Sequence, residues 1–162
     1  MRFHPLNLPL VFFLATSSAF ALDPTCEKVL KAAETRINQP TWQSITELGD
    51  KMRMEVVKAN GQFYRRAGEK WSKLPANIDD TERKLIAQIR NGEWKMTNCK
   101  VVGNDTVNGI PVTVISSRTE LKNAPPGDMK LYIGKSDGLP YRQVGSNLKV
   151  EYRYKGFVAP KL

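Results

Sequence analysis

The fold of this chain is decided by the stretch MRMEVVKANGQFYRR, residues 52–66. In its first half, apolar side chains recur at every second position, on one face of an extended chain: Met52, Met54 and Val56. This alternation predicts a half-buried β-strand. Asn60-Gly61 then supplies a favourable pair for a two-residue hairpin turn, because both residues tolerate a positive φ. The stretch therefore predicts a β-hairpin within an antiparallel sheet that has one apolar face.

The same alternation continues on both sides of this hairpin. The sequence predicts strands over residues 42–48, 52–56, 62–66, 70–74, 96–102, 110–119, 129–133, 139–144 and 148–154. Asn108-Gly109 and Asp137-Gly138 provide further turns between them. Two groups of strands result, and each is expected to form an antiparallel meander.

A helix is predicted before each meander. The first begins with Asp23 as its N-cap and Pro24 at its first helical position, and it ends at Asn38. Its apolar residues share one stripe: Cys26, Val29, Leu30, Ala33 and Ile37. The second helix has its apolar residues at Ile78, Leu85, Ile86 and Ile89, with Asp79 and Glu82 resembling a capping box. The predicted fold class is therefore α+β, with one large curved sheet and two helices.

Residues 1–21 have the pattern of a secretion signal in front of a single domain at 22–162. Arg2 precedes an apolar run at 8–15, and Ala19-Phe20-Ala21 forms a small-x-small cleavage site. No later apolar stretch approaches the roughly 20 residues of a bilayer-spanning helix. Cys26 is too far from the cleavage point to carry an acyl anchor. We therefore expect a soluble periplasmic protein without a transmembrane segment.

The chain contains two cysteines, Cys26 and Cys99. A low and even count in an exported protein favours one disulfide bond. Because the two are not in a C-x-x-C arrangement, we expect a structural bond that joins the first helix to the first strand of the second meander.

The residue types most often used in catalysis are scarce. The only histidine, His4, lies in the predicted signal, and both cysteines are expected to be bonded. The mature chain thus lacks the commonest general base and the commonest metal ligand. The sequence predicts no catalytic residues, no metal site and no cofactor, and it favours a binding protein over an enzyme.

The net charge is +9 at pH 7. Such a surplus favours anionic partners, among them lipid headgroups and other envelope components. Export argues against nucleic acid as the partner. We expect the protein to be a monomer.

Two segments resemble the superfamily of periplasmic lipoprotein carriers and related mycobacterial lipid-carrying lipoproteins. One is EVVKANGQFYRR at 55–66 followed by KWSKL at 70–74, which is similar to the family's strand–turn–strand with a glycine turn before a Tyr and a Trp. The other is MKLYIGKSDGLPYR at 129–142, which resembles the family's apolar strand, turn and Gly-Leu-Pro. Between them, VNGIPV at 107–112 stands where the family has another hairpin.

The resemblance implies an incomplete barrel whose concave face is covered by the helices, with a cavity for acyl chains between them. A lipid or acylated ligand would contact the apolar residues on that face: Leu30, Ala33, Met52, Met54, Val56, Val112, Val114, Leu131 and Ile133. An anionic headgroup would meet a basic rim: Arg53, Arg65, Arg66 and Lys70. The implied role is lipid binding or lipid transport in the cell envelope.

A filled apolar core would produce the same sequence pattern, because alternation assigns residues to a face without showing whether the space is hollow. Under this alternative the protein is an exported interaction factor, of inhibitor or immunity type, that binds a partner through a basic face. The parity of each strand is also open, since a slip of one residue reverses its faces.

Overall fold

The computed structural model describes residues 22–49, 52–120 and 126–162. Within these ranges the chain forms two helices, α1 (Pro24–Ile37) and α2 (Ile78–Arg90), and nine strands. The strands are β1 (Trp42–Leu48), β2 (Met52–Ala59), β3 (Gln62–Ala67), β4 (Lys70–Leu74), β5 (Lys95–Val107), β6 (Ile110–Glu120), β7 (Gly127–Gly134), β8 (Pro140–Val144) and β9 (Leu148–Arg153). Every predicted helix and strand is present, and β5 is longer than predicted. The predicted secretion signal lies outside the described residues.

The strands form one antiparallel sheet in the order β4-β3-β2-β1-β9-β8-β7-β6-β5. The two meanders join where β1 pairs with β9. The sheet is curved and unclosed, so the predicted α+β half-barrel is confirmed. Because α2 connects β4 to β5, the chain passes from one edge of the sheet to the other through this helix. That connection places α2 across the opening of the half-barrel.

The strand register determines which side chains face the helices. One row of directly paired residues crosses the sheet from β6 to β2: Ile115, Leu131, Gln143, Val150, Thr46 and Met54. Residues that pair directly lie on the same face of an antiparallel sheet. Leu131 and Gln143 line the space under the helices, so this row belongs to the helix-facing side.

Two apolar clusters form the core on that side. The first joins the two helices through Leu30, Ile37, Ile86 and Ile89, with Trp94 and Met96 packed against them. The second lies on the β1–β3 part of the sheet and contains Trp42, Val56 and Phe63, with Met54 and Tyr154 beside them. The Trp42 and Phe63 ring centroids are 6.0 Å apart, a normal distance for an aromatic pair.

Helix α1 begins as the sequence predicts. The Asp23 carboxylate accepts hydrogen bonds from the amides of Thr25 and Cys26, at 2.7 and 3.3 Å. This contact satisfies two of the amides that a helix start leaves without intrahelical partners. Pro24 follows at the position where its missing N–H costs least.

Helix α2 begins two residues earlier than its predicted cap, so the capping box at Asp79 and Glu82 is wrong. Its N-cap is Asn77, whose side chain accepts a hydrogen bond from the Asp80 amide at 3.3 Å. Asp79 instead lies inside the first turn, buried at 5% exposure, where its carboxylate contacts Lys58. Asp79 and Glu82, which resemble a capping box in the sequence, thus form ion pairs with residues elsewhere in the fold, Lys58 and Arg36.

The predicted disulfide bond between Cys26 and Cys99 is confirmed. It joins the first turn of α1 to β5 across 73 residues of sequence, with the two Cα atoms 5.1 Å apart. Around Cys99 the pairing of β5 with β6 shifts register, between Thr97 and Lys100 and again between Val101 and Gly103. These β-bulges bend the edge strand where it is bonded to the helix.

Candidate functional site

A cavity of about 170 Å³ lies between the two helices and the β5–β9 half of the sheet. The helices line it with six apolar residues: Val29, Leu30, Ala33, Leu85, Ile86 and Ile89. The sheet adds Met96, Met129 and Leu131. Methionine side chains adapt to varied shapes because they are unbranched and polarizable. The space is therefore apolar over most of its wall and bounded on one side by the two helices.

Polar groups occupy one part of the cavity wall. They are Arg36, Glu82, Ser117, Thr119, Gln143 and Tyr152. Arg36 is only 4% exposed, and its guanidinium forms an ion pair with Glu82 of α2. The same guanidinium lies 4.5 Å from the centroid of the Trp42 ring and 5.4 Å from that of Tyr152. A buried cation is tolerated here because a carboxylate and two aromatic faces replace its water.

Burial also affects the phenol beside this cation. It raises the pKa of Tyr152, and the charge of Arg36 partly opposes that shift. Tyr152 therefore stays neutral at physiological pH, with its hydroxyl 3.5 Å from the Gln143 side-chain oxygen. The polar part of the wall can donate hydrogen bonds to a ligand and accept them from it. Its one positive charge, on Arg36, is compensated by Glu82.

Helix α2 is held to α1 by polar contacts at its edges. Arg90 contacts Glu27 and Glu34 at 2.5 Å each, and all three side chains are about one-third exposed. The hydrogen bond from Arg90 is the main cause that holds the pKa of Glu34 below its usual range. Arg83 adds a hydrogen bond to the Asn38 side chain at 3.2 Å. Exposed ion pairs of this kind contribute little to stability, so they can separate at small cost.

The start of α2 is tied to the sheet by a buried ion pair. Lys58 Nζ lies 2.5 Å from Asp79 Oδ2 and donates a second hydrogen bond to the Ile37 carbonyl at 2.7 Å. Both side chains are largely buried, at 12% and 6% exposure. This contact fixes the N-terminal end of α2 more firmly than the exposed pairs fix its C-terminal end.

The predicted ligand residues divide into three groups. Leu30, Ala33 and Leu131 line the cavity. Met54 and Val56 lie on the helix-facing side but belong to the Trp42 cluster, and Met52 is 59% exposed at the end of β2. Ile133 is also on the helix-facing side, in a separate groove on the other flank of α1.

Val112 and Val114 require a correction. In the β6–β7 pairing, Thr113 lies opposite Ile133 and Ile115 opposite Leu131. The intervening valines therefore point to the sheet face away from the helices, although both are buried. The sequence pattern predicts the opposite face for these two valines, because a shift of one residue in a strand reverses its faces.

The predicted basic rim is not assembled at the cavity. Arg53, Arg65, Arg66 and Lys70 all lie on β2–β4, at the opposite half of the sheet. Arg66 forms an ion pair with Glu55 and lies 5.3 Å from the Trp71 ring centroid. Arg65 and Arg66 are consecutive in an extended strand, so they point to opposite faces.

Sequence reasoning missed Arg36 and Glu82 as members of the site. The signal was present in the helical spacing. Arg36 follows Val29 and Ala33 by seven and three residues, and Glu82 precedes Leu85 by three, so each charge falls in register with an apolar stripe. A charged residue inside such a stripe indicates a buried ion pair or a polar site within the core.

Across the described ranges, no three His, Cys, Asp or Glu side chains are grouped as a metal site would require, and no helix is long and apolar enough to span a bilayer.

No protein-family model matches the sequence, and no curated protein matches it. The structure is similar to that of LprF from Mycobacterium bovis, with a TM-score of 0.56 and 11% identity over 87% of this chain and 98% of that chain. LppX, a lipoprotein of Mycobacterium tuberculosis, gives a TM-score of 0.49 and 12% identity over 79% and 91% of the two chains. The MucA/MucB complex of Pseudomonas aeruginosa gives 0.47 and 15% identity over 80% and 56%. At such identities the likeness concerns the fold alone, and the chain shares the half-barrel fold of LprF.

Proposed function

We propose that this protein binds a hydrophobic or lipidic ligand in the cavity between its helices and its curved sheet. The observation that carries the proposal is the apolar cavity wall formed by α1, α2 and the sheet. Burial of an acyl chain against this wall would drive binding, at roughly 25 cal/mol per Å² of apolar surface. The resemblance of the sequence motifs to lipid-carrying proteins supports the same ligand class.

The cavity volume sets a condition on how such a ligand enters. At about 170 Å³ it is below the range of about 300–1,000 Å³ typical of ligand sites. It is close to the roughly 150 Å³ of an engineered cavity that takes up benzene. A long acyl chain therefore fits only if one wall moves outward, and the proposal includes that movement.

The wall most able to move is α2. Its contacts are mainly with α1, and its C-terminal half is held there by exposed ion pairs of Arg90. The apolar side chains Ile86 and Ile89 that it would withdraw from the core could be replaced by the ligand's own apolar surface. In this proposal α2 rotates away about its N-terminal end, where Lys58 and Asp79 hold it.

An exported location is part of the proposal. The disulfide bond between Cys26 and Cys99 is typical of oxidising compartments such as the periplasm. The intact mass of the protein recovered from the periplasm of an expression host tests this point. A mass that includes residues 1–21, or an acyl group on Cys26, would contradict it.

The binding proposal is tested with Ala33→Trp. Ala33 lies on the cavity wall, so an indole there should occupy the space and abolish uptake of a fluorescent fatty acid. Ala76→Trp is the matched control, because Ala76 is exposed in the segment before α2 and does not line the cavity. Circular dichroism and thermal melting establish that both variants fold.

Wild-type protein should also carry lipid when it is purified without detergent and examined by native mass spectrometry. If the wild type takes up no apolar probe and carries no lipid, the space is a filled core. The protein would then be better described as an exported interaction factor, with no ligand to lose.

A further inference from the structure

A second groove runs along the other flank of α1, away from the cavity. It has a volume of about 290 Å³ and lies between α1 and strands β5–β7. We call it the lysine groove, because three lysines stand along it: Lys28, Lys31 and Lys135. Lys28 and Lys31 are one turn apart on α1, and Lys135 comes from the turn after β7. The two flanks of one helix thus border two different spaces.

The floor of the lysine groove is apolar. Ala32 and Ile115 form its deepest part and are 2% and 1% exposed. Ile133 continues the floor, and Val101 at the sheet edge is 54% exposed, which is unusual for an aliphatic side chain on the helix-facing side. The open aliphatic surface is that of Ile133 and Val101, and the chain of an amphiphile can cover it.

The lysines give the groove a positive charge. All three are exposed. In the described part of the chain, lysine ion pairs are made by Lys58 and Lys149, and none by these three.

Two carboxylates lie nearby and both have partners. Lys31 contributes to lowering the pKa of Glu34, whose carboxylate is engaged by Arg90. The Asp137 carboxylate, beside Gly134, accepts hydrogen bonds from the Leu139 amide and the Tyr141 hydroxyl. The ammonium groups remain available to an anion.

The walls of the lysine groove are covalently connected. The bond between Cys26 and Cys99 joins α1 to β5, and Val101 is two residues beyond Cys99. The separation between helix and strand is therefore fixed. A site with fixed walls loses less freedom on binding than one that must open.

We propose that the lysine groove binds a single anionic amphiphile, whose alkyl chain lies over Ile133 and Val101 and whose phosphate or carboxylate head is bound by the three lysines. The occupant is argued from charge complementarity and from the apolar floor. The site is separate from the cavity and does not depend on movement of α2. It adds a class of ligand, an amphiphile with a negative head, that the cavity alone does not specify.

The test uses the full oxidised protein and dodecyl phosphate below its micelle concentration. Amide chemical shifts in ¹⁵N-labelled protein should move at residues 28–35 and 133–138. The triple variant Lys28→Gln, Lys31→Gln, Lys135→Gln should weaken binding by about tenfold or more, because charge-assisted hydrogen bonds are lost. Dodecyl maltoside, which has the same chain and a neutral head, should bind much more weakly than dodecyl phosphate.

A matched triple variant separates the site from the general positive charge of the protein. Lys70→Gln, Lys73→Gln and Lys84→Gln remove the same charge from exposed positions on β4 and α2. This control should keep its affinity within about twofold, a change well under 1 kcal/mol. An equal loss in both triple variants would overturn the proposal, since the binding would then depend on net charge alone.

The apolar floor is tested at the sheet edge with Val101→Asp, which places a negative charge in the groove. Val102→Asp is its control, because Val102 is similarly exposed, at 51%, and does not line the groove. Binding should fall in the first variant and persist in the second. Equal binding in both, or shifts confined to 82–89, would place the amphiphile elsewhere.

Two further arms separate this site from other sources of the same chemistry. One contrary result is that the protein binds vesicles that contain phosphatidylglycerol but does not bind monomeric dodecyl phosphate. That result would overturn the single-molecule site and identify the groove as a membrane-docking surface. Ala33→Trp, which blocks the cavity, should leave dodecyl phosphate binding unchanged. If it abolishes binding, the amphiphile occupies the cavity and the lysine groove is not its site.

Discussion

The two helices differ in how they are held. Helix α1 is bonded to β5 through Cys26 and Cys99. Helix α2 meets α1 through apolar packing and through ion pairs of Arg36 and Arg90. A covalent bond keeps its two residues together whatever rotamers they adopt. The side chains of an exposed ion pair, by contrast, readily exchange each other for water.

This difference gives the two helices different mechanical roles. The disulfide bond keeps α1 in place on the sheet. The cavity can widen if α2 moves, and it is too small for a long ligand unless α2 does. In the proposed mechanism, α1 is the fixed helix and α2 the one that moves.

Removal of the covalent bond should give the largest effect. The double variant Cys26→Ala, Cys99→Ala frees a loop of 73 residues, and the chain-entropy model predicts a loss of about 4 kcal/mol in the free energy of unfolding. Guanidinium denaturation of the variant and the wild type measures this loss. We expect dodecyl phosphate binding in the lysine groove to weaken as well, because α1 can then separate from β5.

Uptake into the cavity is the internal control for that variant. If the cavity and the lysine groove are independent, a fluorescent fatty acid should still enter the cavity under conditions where the variant is folded. Uptake lost together with groove binding, in folded protein, would show that the two sites form one mechanical unit.

The buried pair between the helices should give an intermediate effect. Glu82→Gln leaves the Arg36 guanidinium buried without a carboxylate, which should lower the free energy of unfolding by about 2 kcal/mol. The same change should speed uptake of an apolar probe in stopped-flow measurements, because α2 is held less firmly. Glu69→Gln, at an exposed turn, is the control and should change neither quantity. Slower uptake in Glu82→Gln would contradict the movement of α2.

Much of this architecture can be predicted from the sequence, because it depends on local patterns. Alternation along 52–66 and the Asn60-Gly61 turn predict the β2–β3 hairpin, and Asp23-Pro24 predicts the start of α1. The disulfide bond follows from export and from the count of cysteines. Each of these inferences needs only neighbouring residues or composition.

Features that depend on pairing between distant segments are harder to predict from the sequence. Strand β6 has apolar residues at both parities, Val112 and Val114 on one face and Ile115 on the other, and all three are buried. Only the pairing of Ile115 with Leu131 decides which face meets the helices. Arg36 pairs with Glu82, 46 residues later in the chain, and Asp79 pairs with Lys58, 21 residues earlier. Local spacing cannot predict ion pairs between residues so far apart in sequence.

The smallest expected effect concerns the exposed end of α2 and depends on pH. Arg90 holds the pKa of Glu34 below its usual range, chiefly through their hydrogen bond. Because the folded pKa is the lower one, the contact stabilises fully above the unfolded value of about 4.3 and is lost as the pH falls through the folded value. Both side chains are more than one-third exposed, so the loss should stay below about 1 kcal/mol. Uptake of a neutral apolar probe should therefore quicken modestly as the pH is lowered from about 6 to about 3. Glu34→Gln should already be fast at the higher pH and should change less on acidification, whereas Glu69→Gln should follow the wild type. An identical pH response in all three proteins would show that the Glu34–Arg90 contact does not restrain α2.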